Sequence, residues 1–220
     1  MRCKIDLIIG FLEEVWVNEN SPLKMYGHLK GTTPFQILVS TILSLRTKDE
    51  ITYTVAEKLF KKFKTPYDFV NADIVDIEKS IYPVGFYKKK AVTIKNISRI
   101  LVENYNGDVP NDLNVLLSLP GVGRKTANLV LSVAFGENTI CVDTHVHRIS
   151  NRIGIVKTKT PEETETKLKE IVPVRYWKKI NYLMVSFGQT ICKPVKPKCG
   201  LCKIKDICEY FRKNYINIYG

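Results

Sequence analysis

With 220 residues, the chain can bury a core without disulfide staples and has room for one large or two modest domains. Lys and Arg number 34 against 22 Asp and Glu, a formal charge of +12 that favours a polyanionic partner, the alternative being a lysine-rich solvated surface. The opening MRCKIDLIIGFLEEVW is interrupted by Asp6 and carries Glu13 and Glu14, which excludes a secretion signal or a membrane span. No other stretch spans either, so a soluble, intracellular protein with reduced thiols is expected.

The dominant period is helical, with no internal repeat and no low-complexity tract. Phe35, Leu38, Val39 and Ile42, at i, i+3, i+4 and i+7 behind Thr33-Pro34, predict a first helix. Val55, Leu59, Phe60 and Phe63 predict a second. Ala91, Ile94, Ile97, Ile100 and Leu101 form a strong stripe that ends near Asn106-Gly107. Asn111 or Asp112 is placed to cap a short helix carrying Leu113, Leu116 and Leu117, which Pro120-Gly121 ends. Another helix begins near Arg124 with Ala127, Val130, Leu131 and Ala134; one more follows Asp143 with Val146, Ile149 and Ile153. Thr160-Pro161 opens a helix over 162–172. The best strand candidate, Thr139 to Val142, is short, and the expected class is all-α. From Cys192 onward the helical period stops, which predicts an ordered non-helical loop that needs something other than a core to order it.

Cys192, Cys199, Cys202 and Cys208 form C-x6-C-x2-C-x5-C within 17 residues. Four thiolates from one short segment suit a tetrahedral zinc or a 4Fe–4S cluster. Zinc knuckles use two close pairs, whereas only Cys199 and Cys202 are close here; the long spacers let the chain wrap a larger object, which favours the cluster. Lys193, Lys196, Lys198, Lys203 and Lys205 are interleaved, with no acidic residue before Asp206. Such a loop has little to bury and makes a cationic knob for phosphates, Lys196 and Lys198 among its contacts. Cys3 and Cys141 lie outside the pattern and are expected to be small core residues.

Ser118-Leu-Pro-Gly-Val-Gly-Arg-Lys125 reads as a hairpin between two helices, or as a plain tight turn. Gly121 and Gly123 permit positive φ and close backbone approach, and the N–H groups opening the second helix make a site for a phosphate. Arg124 is at most a backbone contact. Lys125 lies in the first helical turn, off the apolar stripe; the helix dipole there disfavours an ammonium and favours an amine nucleophile, the alternative being a phosphate contact. Asp143, eighteen residues on, is an N-cap by position and a fixed carboxylate by consequence. An amine and a carboxylate are what cleavage of an N-glycosidic bond with trapping of the sugar requires. His145 and His147 have no assigned role.

LPGVGRKTA at 119–127, then VDTH at 142–145, then the four-cysteine spacing resemble the endonuclease III family of helix-hairpin-helix DNA glycosylases. Thr33-Pro-Phe35 and Val84 to Ala91 extend the resemblance over nearly the whole chain. It implies two helical domains flanking a DNA-binding cleft: a six-helix domain over 27–137, and a cluster domain from 1–26 and 138–220 with its 4Fe–4S loop at 192–208. It implies a monomeric, nucleoid-associated enzyme of base excision repair, a DNA N-glycosylase and AP lyase that flips damaged, oxidised pyrimidines out of duplex DNA. Lys125 matches the family's catalytic lysine, which attacks C1′ and forms a Schiff base before β-elimination; Asp143 matches the catalytic aspartate. The cluster's implied role is largely structural.

Two positions raise their own questions. Arg46 stands where the family usually has a glutamine that fills the gap left by the flipped nucleotide; arginine can do the same or contact a phosphate. Phe86 falls on the opposing wedge loop, where it can stack on an unpaired base or sit in the core. The rival readings are a monofunctional mismatch glycosylase acting on thymine, uracil or adenine, against which Lys125 argues, and a non-catalytic DNA-binding module with a structural metal.

Overall fold

The computed structural model describes residues 2–18 and 32–216. Among these there is no strand, and the chain divides into two compact units: Pro22–Glu137, and Met1–Ser21 with Asn138–Gly220. The expected boundary between residues 26 and 27 lies outside the described residues.

Helix α1 (Arg2–Asn18) joins the C-terminal half. The central unit holds α2 (Pro34–Ser44), α3 (Asp49–Lys62), α4 (Pro66–Asn71), α5 (Ile74–Ile81), α6 (Tyr87–Tyr105), α7 (Leu113–Ser118) and α8 (Arg124–Ala134). The start of α2 is a capping box: Thr33 Oγ1 accepts the Gln36 N–H at 3.2 Å, and the Gln36 side chain accepts the Thr33 N–H at 3.2 Å. Pro34 follows at the one position where its missing N–H costs no helical bond. α4 and α5 escape the periodicity because they are too short to show it, yet their caps are in the sequence. Thr65 and Asp68 form a second capping box, and Asp73 accepts the Val75 N–H at 2.8 Å.

The stripe of α6 is buried as its period demands: Ala91, Ile94, Ile97 and Leu101 are inaccessible to solvent. They pack into one core with Phe35, Leu38, Ile42, Leu59, Phe69, Leu116 and Val130. Each such side chain contributes roughly 1.5–3 kcal/mol by leaving water.

The other unit adds α9 (Thr144–Ile153), α10 (Pro161–Ile171) and α11 (Trp177–Thr190) to α1. Its separate core contains Ile8, Leu12, Val146, Ile149, Leu168, Leu183 and Phe187. Gly188 lets α11 approach α9, since a Cβ there would overlap His145 Nδ1 and meet Arg148 Nη2 at 2.9 Å.

Residues 139–142, the best strand candidate, are non-helical and largely buried and form no strand, in keeping with the all-α expectation; the Asn181 side chain donates to the Cys141 carbonyl at 3.0 Å. One expectation is corrected: the cysteine segment is not without helical turns or core contacts. It makes single 3₁₀ turns at Cys199–Leu201 and Lys205–Ile207, and Ile204, only 3% exposed, plugs the second core. Cys141 is buried as expected, and the Cys3 side chain lies outside the described residues.

Candidate functional site

The hairpin is built from both its helices. Asp112 caps α7 by accepting the Asn114 and Val115 N–H groups at 2.7 and 2.9 Å. After α7 the turn is pinned by buried Leu119 and Val122, and the Val122 N–H donates to the Leu119 carbonyl at 3.2 Å. The two glycines serve different ends. Gly121 has φ +72°, which strains any side chain, and a Cβ would press on Thr93 Cγ2 at 3.0 Å. Gly123 has nothing within 4 Å of where its Cβ would stand; it is the N-cap of α8 and brings no capping side chain. Arg124 and Lys125 are exposed at the first two positions of α8, while Thr126, Ala127 and Asn128 behind them are buried. The hairpin thus presents two cationic side chains beside an open backbone.

Asp143 belongs to the other unit, where it caps α9. Its Oδ1 accepts the His145 and Val146 N–H groups, both at 2.9 Å, which fixes the carboxylate. His147 is engaged structurally, its Nδ1 lying 2.7 Å from Thr164 Oγ1.

Arg46 and Phe86 come together within the central unit. Both are non-glycine residues with positive φ, 54° and 58°, a conformation costing roughly 1–3 kcal/mol that concentrates at functional sites. Phe86 is 58% exposed, which removes the core reading, and the Arg46 guanidinium carbon lies 5.7 Å from its ring centroid. Beneath them lies Lys90, which sequence reasoning missed. It is 7% exposed, and burial pushes its pKa down to about 8. The overlooked signal was its place one turn before Ile94 and two before Ile97, in line with the apolar stripe.

All four patterned cysteines line one cavity, partly open to solvent, with Ile204 and Tyr210 among its walls. Among the described residues no three Cys, His, Asp or Glu side chains are gathered as for a single ion. Two arginines one turn apart on α9 hold the first cysteine's segment. Arg148 donates to the Cys192 carbonyl at 3.1 Å; Arg152 donates to the Lys193 and Pro194 carbonyls at 2.7 and 2.8 Å and stacks on Tyr210. Burial pushes the Cys202 thiol up to about 11 and raises Cys192 and Cys199 as well, so iron ligation has to displace protons there. Four thiols around one cavity, with cationic donors beside them, fit a thiolate-bound iron–sulfur cluster. Lys196 and Lys198 are exposed on this segment, whereas Lys203 is paired with Glu14 at 2.6 Å.

The sequence pattern of HhH-GPD superfamily base excision DNA repair proteins matches residues 39–174, and that of the iron–sulfur binding domain of endonuclease III matches residues 192–208. Endonuclease III of Thermotoga maritima is 53% identical over 184 residues, covering 84% of this chain and 86% of its own. A non-covalent endonuclease III–DNA complex superposes with a TM-score of 0.85 at 33% identity, over 97% of both chains. A trapped endonuclease III–DNA covalent intermediate does so with a TM-score of 0.82 at 35% identity, over 94% of this chain and 97% of that one. On these matches, the chain belongs to the endonuclease III family of HhH-GPD base excision DNA repair proteins.

Proposed function

We propose that Lys125 and Asp143 carry the chemistry of this base-excision DNA glycosylase and AP lyase. The observation that carries the proposal is an exposed amine in the first turn of α8, beside a glycine N-cap that brings no capping side chain. Backbone phosphate settles against the Gly121–Gly123 turn and Arg124, which position the strand without reading its sequence. Lys125, as the neutral amine, forms a bond from Nζ to C1′ of the flipped nucleotide. The C1′–N bond breaks and its electron pair leaves with the base, which takes up a proton. Asp143 stabilises the positive charge developing on the sugar and receives the proton shed by the attacking nitrogen. Opening of the sugar ring gives a Schiff base. Loss of a C2′ proton then expels the 3′ phosphate and cuts the strand.

The protein carries a 4Fe–4S cluster, and Cys192, Cys199, Cys202 and Cys208 are the ligands we assign to it. When bound, the cluster supplies a four-point cross-link that orders the segment bearing Lys196 and Lys198. Damaged pyrimidines are the substrate we assign, and single-lesion duplexes test the choice. A DNA substrate is the reason we assign the protein to the nucleoid. Among the described residues no helix is long and apolar enough to cross a membrane.

Borohydride reduction of an enzyme–DNA mixture tests the nucleophile. Wild type is expected to give a covalent adduct and Lys125→Ala none; an undiminished adduct in the variant would remove Lys125 from the mechanism.

A further inference from the structure

The segment bearing Arg46 follows the C-terminus of α2, where four backbone carbonyls lack intrahelical partners. Three are served locally. Thr41 O accepts the Ser44 hydroxyl at 2.8 Å, Ile42 O the Leu45 N–H at 3.2 Å and Ser44 O the Thr47 N–H at 3.2 Å. The fourth, Leu43 O, accepts Lys90 Nζ at 2.7 Å from a residue 47 positions away. The same ammonium donates to Leu45 O at 2.5 Å and to Thr47 Oγ1 at 3.1 Å. Its three protons are all used, every one on a neutral oxygen, and together they bracket Arg46.

The opposite segment leads into α6, the helix that carries Lys90, with Phe86 as its N-cap. Thr47 Oγ1 also accepts the Gly85 N–H at 3.1 Å, so the hydroxyl that receives the ammonium ties down the residue before Phe86. Gly85 is the point of closest approach, for a Cβ there would stand 2.7 Å from the Arg46 carbonyl. Two segments, each with a strained residue at its tip, are thus fastened by one buried cation and one hydroxyl. Merely closing the end of α2 needs one donor to one carbonyl. Burying an ammonium is costly, and this one spans both segments.

We propose that Lys90 is a positioning residue for base extrusion: it locks the Arg46 segment to the Phe86 segment, so that the two side chains act on the duplex as one rigid unit. The inference rests on the reading of Arg46 and Phe86 as DNA contacts. A single-stranded abasic substrate has no stack to open and no opposite base, so strand cleavage there bypasses the pair and isolates the chemistry at Lys125.

The experiment compares excision from a lesion-bearing duplex with cleavage of a single-stranded abasic oligonucleotide, in Lys90→Met, Thr47→Val, Arg46→Ala and Phe86→Ala. A 2-aminopurine opposite the lesion reports the orphaned base. Lys90→Met is expected to slow duplex excision about tenfold or more and to abolish the fluorescence rise, while single-strand cleavage stays within about twofold. Thr47→Val, which loses only the shared hydroxyl, is expected to slow duplex excision about threefold with the same split. If Arg46→Ala and Phe86→Ala slow duplex excision while Lys90→Met and Thr47→Val do not, the locking role is overturned. Equal losses on both substrates in the two locking variants would reduce Lys90 to a folding residue. Should Lys90→Met fail to fold, Thr47→Val decides. Unchanged duplex excision in Arg46→Ala and Phe86→Ala would instead overturn the reading on which the inference rests.

Discussion

Asp143 has two duties that one pair of substitutions separates. As the N-cap of α9, its Oδ1 takes two N–H groups at 2.9 Å. Its charge also lies at the positive end of the helix dipole. Asp143→Asn keeps an oxygen able to accept both N–H groups and loses only the charge–dipole part, about 0.3–1 kcal/mol. In a chain of this size 1 kcal/mol moves Tm by about 2–4 °C, so this variant is expected to melt no more than about 4 °C lower. Asp143→Ala loses the cap as well, about 1–2 kcal/mol in all, and is expected to melt about 2–8 °C lower. Activity is expected to divide differently. Both variants lack the carboxylate, and each is expected to lose about 10²–10⁴ in single-turnover excision from a duplex with a damaged pyrimidine. The assays are thermal unfolding followed by circular dichroism, and quenched single-turnover kinetics. Wild-type excision by Asp143→Asn would leave Asp143 as a cap alone. Equal melting temperatures for the two variants would refute the capping argument.

Lys196→Ala with Lys198→Ala is expected to weaken binding to every duplex alike and to lower the slope of log K against log salt by about 0.9 for each phosphate no longer neutralised; an unchanged slope would show that this segment does not touch DNA. Cys202→Ala is expected to lose iron and the broad visible absorption of a thiolate-bound cluster, while Cys141→Ala, buried outside the cavity, keeps both. Full iron content in Cys202→Ala would take Cys202 out of the ligand set.

Caps are the part of this fold most openly written in the chain. Thr33 with Gln36, Asp112 with Val115, Asp143 with Val146 and Thr160 with Glu163 each close hydrogen bonds across two or three residues, so the sequence carries both partners side by side. The same holds for Thr65 with Asp68, whose short helix gives the period too few turns to register. Gly121 and Lys125 are legible for a related reason, since the turn and the first helical residues after it are local geometry.

What the chain does not disclose is decided by residues far apart in it. Nothing in Lys88-Lys89-Lys90 marks the third lysine as buried except its phase with Ile94, and its partners lie more than 40 positions earlier. Arg152 reaches the cysteine segment across 41 positions, and Ile204 turns a loop read as coreless into one with its own anchor. The non-helical 139–142 segment tells the converse story, because apolar residues make a strand only when another backbone lies alongside. Local hydrogen bonding made the capped helix starts and the hairpin legible in the sequence. Only the tertiary fold could decide which lysine is buried and which two strained tips meet, because each depends on packing between distant segments.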